Sequence, residues 1–148
     1  SDSPHTGGTA VLFSRKFQTK AKVLQVHRDP SPHGSWTSIL ISHNFTQVWL
    51  DSVYLPAPGA QRVHTITRWE QHNTQRESGQ FTIAGGDYNC VDNVLEDTSS
   101  ETYSNVGGEA LHAAYTELGM VDAWRSHPDT EDVPGYTRYG VGGGQFSD

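Results

Sequence analysis

The apolar run Phe81-Thr82-Ile83-Ala84 leads directly into Gly85-Gly86-Asp87-Tyr88-Asn89. Such a run reads as a strand that stops at a glycine pair. A strand ending there sets a carboxylate and an amide at its C-terminal mouth. Residues two apart on an extended segment point the same way, so Asp87 and Asn89 are expected to face one space, as metal-assisted phosphate chemistry requires. An ordinary turn uses the same residues, because Gly supplies positive φ and Asp and Asn hydrogen-bond their own backbone. The five residues alone leave both readings open.

The rest of the chain supplies the frame. Strands are expected at residues 9–14, 36–42, 47–55 and 81–85, with further ones near 22–26 and 135–141. A helix is expected from Ala60 to Glu77, where Val63, Ile66 and Trp69 recur every three residues as a core-facing stripe. A second runs from Gly108 to Leu118, with Leu111, Ala114, Tyr115 and Leu118 at helical spacing and Gly119 as its stop. Strands joined by helices, with long polar loops between, make an α/β protein. A chain of 148 residues suffices for one domain spanning 1–148. Its 34% hydrophobic content and 15 glycines predict a modest core.

Ten Lys and Arg against 17 Asp and Glu give a net charge of −7, which argues against a protein that holds nucleic acid by basic surface alone. The only concentration of cations, Arg15-Lys16 and Lys20 with Lys22, reads as solvation of a strand edge. Cys90 is the sole cysteine, which excludes an intramolecular disulfide and a Cys-based zinc site and points to a reducing, intracellular compartment, nuclear or cytoplasmic. Asn44-Phe45-Thr46 matches a glycosylation sequon, which matters only in a secreted chain. No signal peptide and no apolar run long enough to span a bilayer is found, so no membrane partner is expected.

Upstream of the Gly-Gly-Asp strand, Val48-Trp49-Leu50-Asp51-Ser52-Val53-Tyr54-Leu55-Pro56 reads as a strand closed by Pro. Gly7-Gly8-Thr9-Ala10-Val11-Leu12-Phe13-Ser14 precedes it, and Leu118-Gly119-Met120-Val121-Asp122-Ala123-Trp124-Arg125 and Gly135-Tyr136-Thr137-Arg138-Tyr139 follow. In this order and at these separations the blocks resemble the endonuclease/exonuclease/phosphatase family, which includes DNase I-like and apurinic-type nucleases. Within that family the resemblance is closest to the endonuclease domains of non-LTR (LINE-type) retrotransposons. It implies a two-sheet β-sandwich flanked by helices, a site at one end of the sheets, Mg²⁺ (or Mn²⁺) as cofactor, and DNA as partner. Family members open with a strand carrying an Asn and a helix carrying a metal-binding Glu, and close with a Ser-Asp-His segment; neither occurs here. The expected domain is therefore a central portion, incomplete at both ends. Open sheet edges then make homodimerisation an expectation.

The resemblance also assigns roles. Asp87 activates or positions the attacking water, Asn89 holds that water or a phosphate oxygen, and the Tyr54 hydroxyl contacts the scissile phosphate. A Tyr before a strand-ending Pro is equally core packing with a wet hydroxyl. Thr137 borders the substrate groove in the family pattern, and Arg138 offers a phosphate contact; a strand-forming Thr and a solvated Arg are the plain alternatives. Asp148 is a metal-ligand candidate, standing for the Asp of a Ser-Arg-Ile-Asp-like segment. Glu96 and Asp97, in the acidic loop from Asp92 to Asn105, are further ligand candidates or simply solvated. Among the eight histidines, His64, His72, His112 and His127 all lack the Ser-Asp-His context and read as surface or capping residues. Three functions follow: a metal-dependent endonuclease, an inactive remnant of that fold kept for binding or assembly, and a phosphatase acting on a small phosphoester.

Overall fold

A computed structural model describes residues 8–31, 34–91, 105–123, 125–128, 138–139 and 145–146. The chain divides into two compact units, Ser1–Leu55 with Gln71–Asp87, and Pro56–Glu70 with Tyr88–Asp148.

The first unit is built on a four-stranded mixed sheet in the order β1-β2-β3-β4, formed by Lys22–Arg28, Trp36–His43, Thr46–Tyr54 and Phe81–Asp87. β2 and β3 form a hairpin whose turn residues, Asn44 and Phe45, both lie in the left-handed region (φ 48° and 66°). That is the two-residue turn whose twist matches its strands, so the sequon sits at a hairpin tip. β4 returns parallel to β3. The connection contains a helix, as parallel neighbours require. Trp36, Ser38 and Leu40 of β2 and Trp49, Asp51 and Val53 of β3 are all buried and share one face by register. On the opposite face of edge strand β4, Phe81 and Ile83 are 65% and 63% exposed.

Residues 9–14 are not a strand, contrary to expectation. Ser14 instead caps a short helix, α1 (Arg15–Gln18), its Oγ accepting from the Phe17 backbone N–H at 3.2 Å. Phe13 stacks on Phe17 with ring centroids 5.2 Å apart, and Leu12 is left 91% exposed. Local capping satisfies the helix donors here, and the apolar run finds no strand partner among the described residues.

Helix α2 (Gly59–Thr74) begins in the second unit and ends in the first. It stops short of the expected Glu77, and the chain turns through Ser78 and Gly79, the latter at φ 87°. Ile66 and Trp69 are buried as expected, whereas Val63 is 37% exposed. The buried stripe runs through Arg62, Thr65, Ile66 and Trp69. At 3.6 residues per turn a strict three-residue repeat drifts around the helix, and Val63 falls off that face. In the same unit Arg62 donates to the carbonyls of Pro56, Ala57 and Val106. The Asn105 amide brackets Val91, accepting from its N–H at 3.0 Å and donating to its C=O at 2.7 Å. Helix α3 (Gly108–Glu117) ends on Gly119 as predicted. Gly119 (φ 62°) and Met120 donate back to Thr116 and Tyr115. That is the two-bond closure of a left-handed C-cap. Arg138–Tyr139, within the expected 135–141 strand region, pairs antiparallel with Gln145–Phe146, where no strand was expected, as β5-β6.

The described architecture is thus α/β, with a mixed sheet and helices. Cys90 is buried. No helix among the described residues is long and apolar enough to cross a membrane.

Candidate functional site

The C-terminal ends of β3 and β4 bring two of the sequence candidates side by side. In the parallel register Tyr54 pairs with Asp87, and the Leu55 N–H donates to the Asp87 carbonyl at 2.8 Å. Paired residues of neighbouring strands lie about 4.8 Å apart and project to the same face. The Tyr54 phenol and the Asp87 carboxylate therefore emerge together at an open strand end, Tyr54 half-buried and Asp87 exposed.

Gly86 makes that approach possible. It sits at φ 153°, and a Cβ added there would lie 1.8 Å from the Val53 carbonyl oxygen. Gly85, one residue earlier, has nothing within 4 Å of the same added atom. Of the two glycines, only the second is required by close backbone contact.

Strand geometry does not extend to Asn89. β4 ends at Asp87, and Asn89 lies in the left-handed region (φ 47°), so alternation along a strand does not decide where its amide points. A non-glycine residue there is unusual, though Asn tolerates it best. Thr137, Asp148, Glu96 and Asp97 lie outside the described residues. Arg138 begins β5, in the second unit.

The described residues contain no group of three His, Cys, Asp or Glu side chains able to hold a metal ion. Mg²⁺ demands less, since it keeps several waters and takes one or two carboxylates together with substrate phosphate. At the strand end the described carboxylate is that of Asp87, which is exposed.

A second cluster lies on the buried face of the sheet, and sequence reasoning missed it. Arg76, just beyond α2, donates through Nη2 to both Asp51 carboxylate oxygens at 2.8 and 2.9 Å and to Ser38 Oγ at 3.2 Å. Through Nη1 it donates to Thr82 Oγ1 at 2.7 Å. One guanidinium therefore ties β2, β3 and β4 together. It also lies 4.5 Å over the Trp49 ring, a cation–π contact. Burial lowers the Arg76 pKa, while the Asp51 carboxylate opposes that shift.

His72, read from sequence as a surface residue, is instead stacked on Trp36 at 4.6 Å and lies 5.0 Å from the His27 ring. With Gln25, Trp49, Arg76 and Gln80 the two histidines line a cleft of about 190 Å³. Burial pushes His72 down to a pKa of about 4, assisted by the Arg76 and His27 charges and opposed by Asp51. The neutral ring is thus favoured on folding. Its contribution to stability is complete above the ordinary value of 6.5 and is lost as pH falls from 6.5 toward 4. For this partly exposed group the loss is of the order of 1 kcal/mol after solvent screening. Urea midpoints of wild type and His72→Gln at pH 7 and pH 4.5 read it directly. The wild type is expected to lose more stability than the variant on acidification, and parallel losses would contradict the assignment. The only sequence signal for this cluster was the helical spacing of His72 and Arg76.

No family model and no curated protein matches the chain. Among solved structures it is similar to humanized D. rerio TDP2 carrying 14 mutations, with a TM-score of 0.45 and 12% identity over 72% of this chain and 39% of that one. It is also similar to D. rerio TDP2 complexed with single strand DNA product, with a TM-score of 0.45 and 12% identity over 72% of this chain and 38% of that one. The chain spans about two fifths of the length of each of these two structures.

Proposed function

We propose that this chain is part of a DNase I-like phosphodiesterase that nicks DNA by attack of water on a phosphodiester. The supporting observation is the register of β3 with β4, which pairs Tyr54 with Asp87 at an open strand end through a glycine that admits no side chain. The ordered blocks that resemble LINE-type endonuclease domains support the same reading.

Asp87 accepts a hydrogen bond from the attacking water and orients it, a role that suits an exposed carboxylate on a rigid strand end. The Tyr54 hydroxyl donates to a non-bridging phosphate oxygen, where charge develops as the water attacks. Asn89 serves as a further polar contact to the phosphate or the water. Thr137 and Arg138 are assigned to the substrate backbone. Asp148, the metal-ligand candidate, together with Asp87 would hold Mg²⁺ or Mn²⁺, which would supply positive charge against the phosphate. That charge also offsets the repulsion between DNA and a chain of net charge −7. The two-sheet sandwich, pairing of two copies through sheet edges and an intracellular location belong to the same proposal.

The test is nicking of supercoiled plasmid in Mg²⁺ by wild type, Asp87→Asn and Tyr54→Phe. Loss of one positioned catalytic group costs about 10²- to 10⁴-fold. Tyr54→Phe is expected to lower the rate constant at saturating DNA more than it weakens binding, because its hydrogen bond strengthens as charge develops. Hydrolysis of a small aryl phosphate monoester without plasmid nicking would instead select the phosphatase reading.

A further inference from the structure

Five of the ten Lys and Arg residues, Arg15, Lys16, Lys20, Lys22 and Arg28, fall between residues 8 and 28, a stretch without Asp or Glu in a chain of net charge −7. All five are exposed. None forms a salt bridge with a described carboxylate. The adjacent acid, Asp29, is buried and accepts from Ser31 N–H and Oγ–H and from Ser35 N–H, so its charge is turned inward. The strand-edge reading of these lysines is correct about the edge: β1 has β2 as its one neighbour in the sheet, and every one of its residues is exposed.

The fold strings these cations along one edge of the sheet. Phe13, Phe17 and Gln18 of the α1 region line a hollow of about 160 Å³ together with Ala21, Val23 and Ile41. His43 Nδ1 lies 2.8 Å from the Lys20 carbonyl and fixes the intervening turn beside β2. Lys22 and Arg28 stand at the two ends of β1, about 20 Å apart at 3.3 Å per residue. Lys22 pairs with Ser42 and Arg28 with Thr37, and with the register shift between Val23 and Gln25 the two project to opposite faces, so the cations line the edge of the sheet and not one of its faces. Isolated surface cations are ordinary, but five exposed ones with no described carboxylate paired to them are a polyanion surface.

We infer that the α1–β1 edge is a docking surface for the backbone of duplex DNA. That the polyanion is DNA rests on the reading proposed above; the surface itself rests on charge and exposure alone. Duplex DNA is the best match: it carries one charge per about 1.7 Å of axis, so a 20 Å length holds roughly 12 phosphates, and those on its near side face the edge. The surface is also remote from the Asp87 mouth. β1 and β4 are opposite edges of the sheet, three strand spacings or about 14 Å apart. Docking there holds the duplex without occupying the strand end that carries Tyr54 and Asp87.

The experiment is fluorescence anisotropy of a short labelled duplex in EDTA over a series of salt concentrations. It compares wild type, a quadruple variant (Lys16→Gln, Lys20→Gln, Lys22→Gln, Arg28→Gln), and a charge-conserving one (Lys16→Arg, Lys20→Arg, Lys22→Arg, Arg28→Lys). Each phosphate contact contributes about 0.9 to the slope of log K against log salt. The quadruple variant is therefore expected to lower that slope by about 3 to 4 and affinity at low salt by about 100-fold or more, while the charge-conserving variant binds like wild type. Equal binding by wild type and the quadruple variant would overturn the inference. So would tighter binding of the matching single strand, or capture by phosphatidylserine vesicles in place of DNA. Because EDTA removes catalysis from the readout, a chain that docks DNA through this edge but nicks nothing refutes the proposed activity and leaves the docking surface standing.

Discussion

Gly86→Ala is expected to unfold the C-terminal ends of β3 and β4, whereas Gly85→Ala, its neighbour, is expected to be tolerated. The Cβ added at residue 86 meets the Val53 carbonyl oxygen at 1.8 Å, the Val53 carbonyl carbon at 2.7 Å and the Val53 nitrogen at 2.9 Å. These are backbone atoms within a paired strand, so no side-chain rotation relieves the clash. Val53 and Gly86 are themselves register partners, and separating them separates Tyr54 from Asp87 one residue on. Overpacking together with the unfavourable φ amounts to about 3–5 kcal/mol. At residue 85 the added methyl meets nothing, and the reduced freedom of the unfolded chain is worth a few tenths to 1 kcal/mol in favour of folding. Urea denaturation of the two variants side by side checks the contrast. Equal destabilisation would mean that the β3–β4 register is wrong.

Arg76→Met carries the other large effect. The Asp51 side chain is 0% exposed and that of Arg76 is 7% exposed, so removing the guanidinium takes the cation away from a buried carboxylate and leaves it the weaker Asn73 amide contact at 3.5 Å. Breaking a buried pair from one side costs about 3–5 kcal/mol, a large part of the 5–15 kcal/mol that holds a typical domain together. Ser38 and Thr82 lose a donor in the same step, so the loss spreads over three strands. Pairing Arg76→Met with Asp51→Leu removes the buried charge and is expected to recover much of the stability, since an apolar replacement of a buried pair is often neutral. A double variant no more stable than Arg76→Met alone would show that the polar contacts, and not the buried charge, dominate.

The contrast between Gly85 and Gly86 marks the limit of what the residues reveal in order. The Gly-Gly-Asp signal located the strand end, and the Val48–Pro56 run located its neighbour, because period and punctuation are local properties. Which glycine is indispensable depends on how closely β3 approaches, and that is a property of the pair. Helix α3 was legible to its last residue because Gly119 closes it by a local rule. Residues 9–14 were misread because Ser14 caps a helix that the apolar run conceals, and Val63 was placed in the core by a repeat shorter than a helical turn. The Asp51–Arg76 pair and the His72–Trp36 stack join residues far apart in sequence, where no spacing connects them. Asp87 and Tyr54 were legible as candidates, and their direct pairing came from the register.

The most direct measurement is nicking of supercoiled plasmid in Mg²⁺, with EDTA and Asp87→Asn as controls. The account predicts open-circular product that needs both the metal and the Asp87 carboxylate. A folded, Mg²⁺-supplied chain that leaves the plasmid supercoiled, or nicks it equally well with Asp87→Asn, would contradict it.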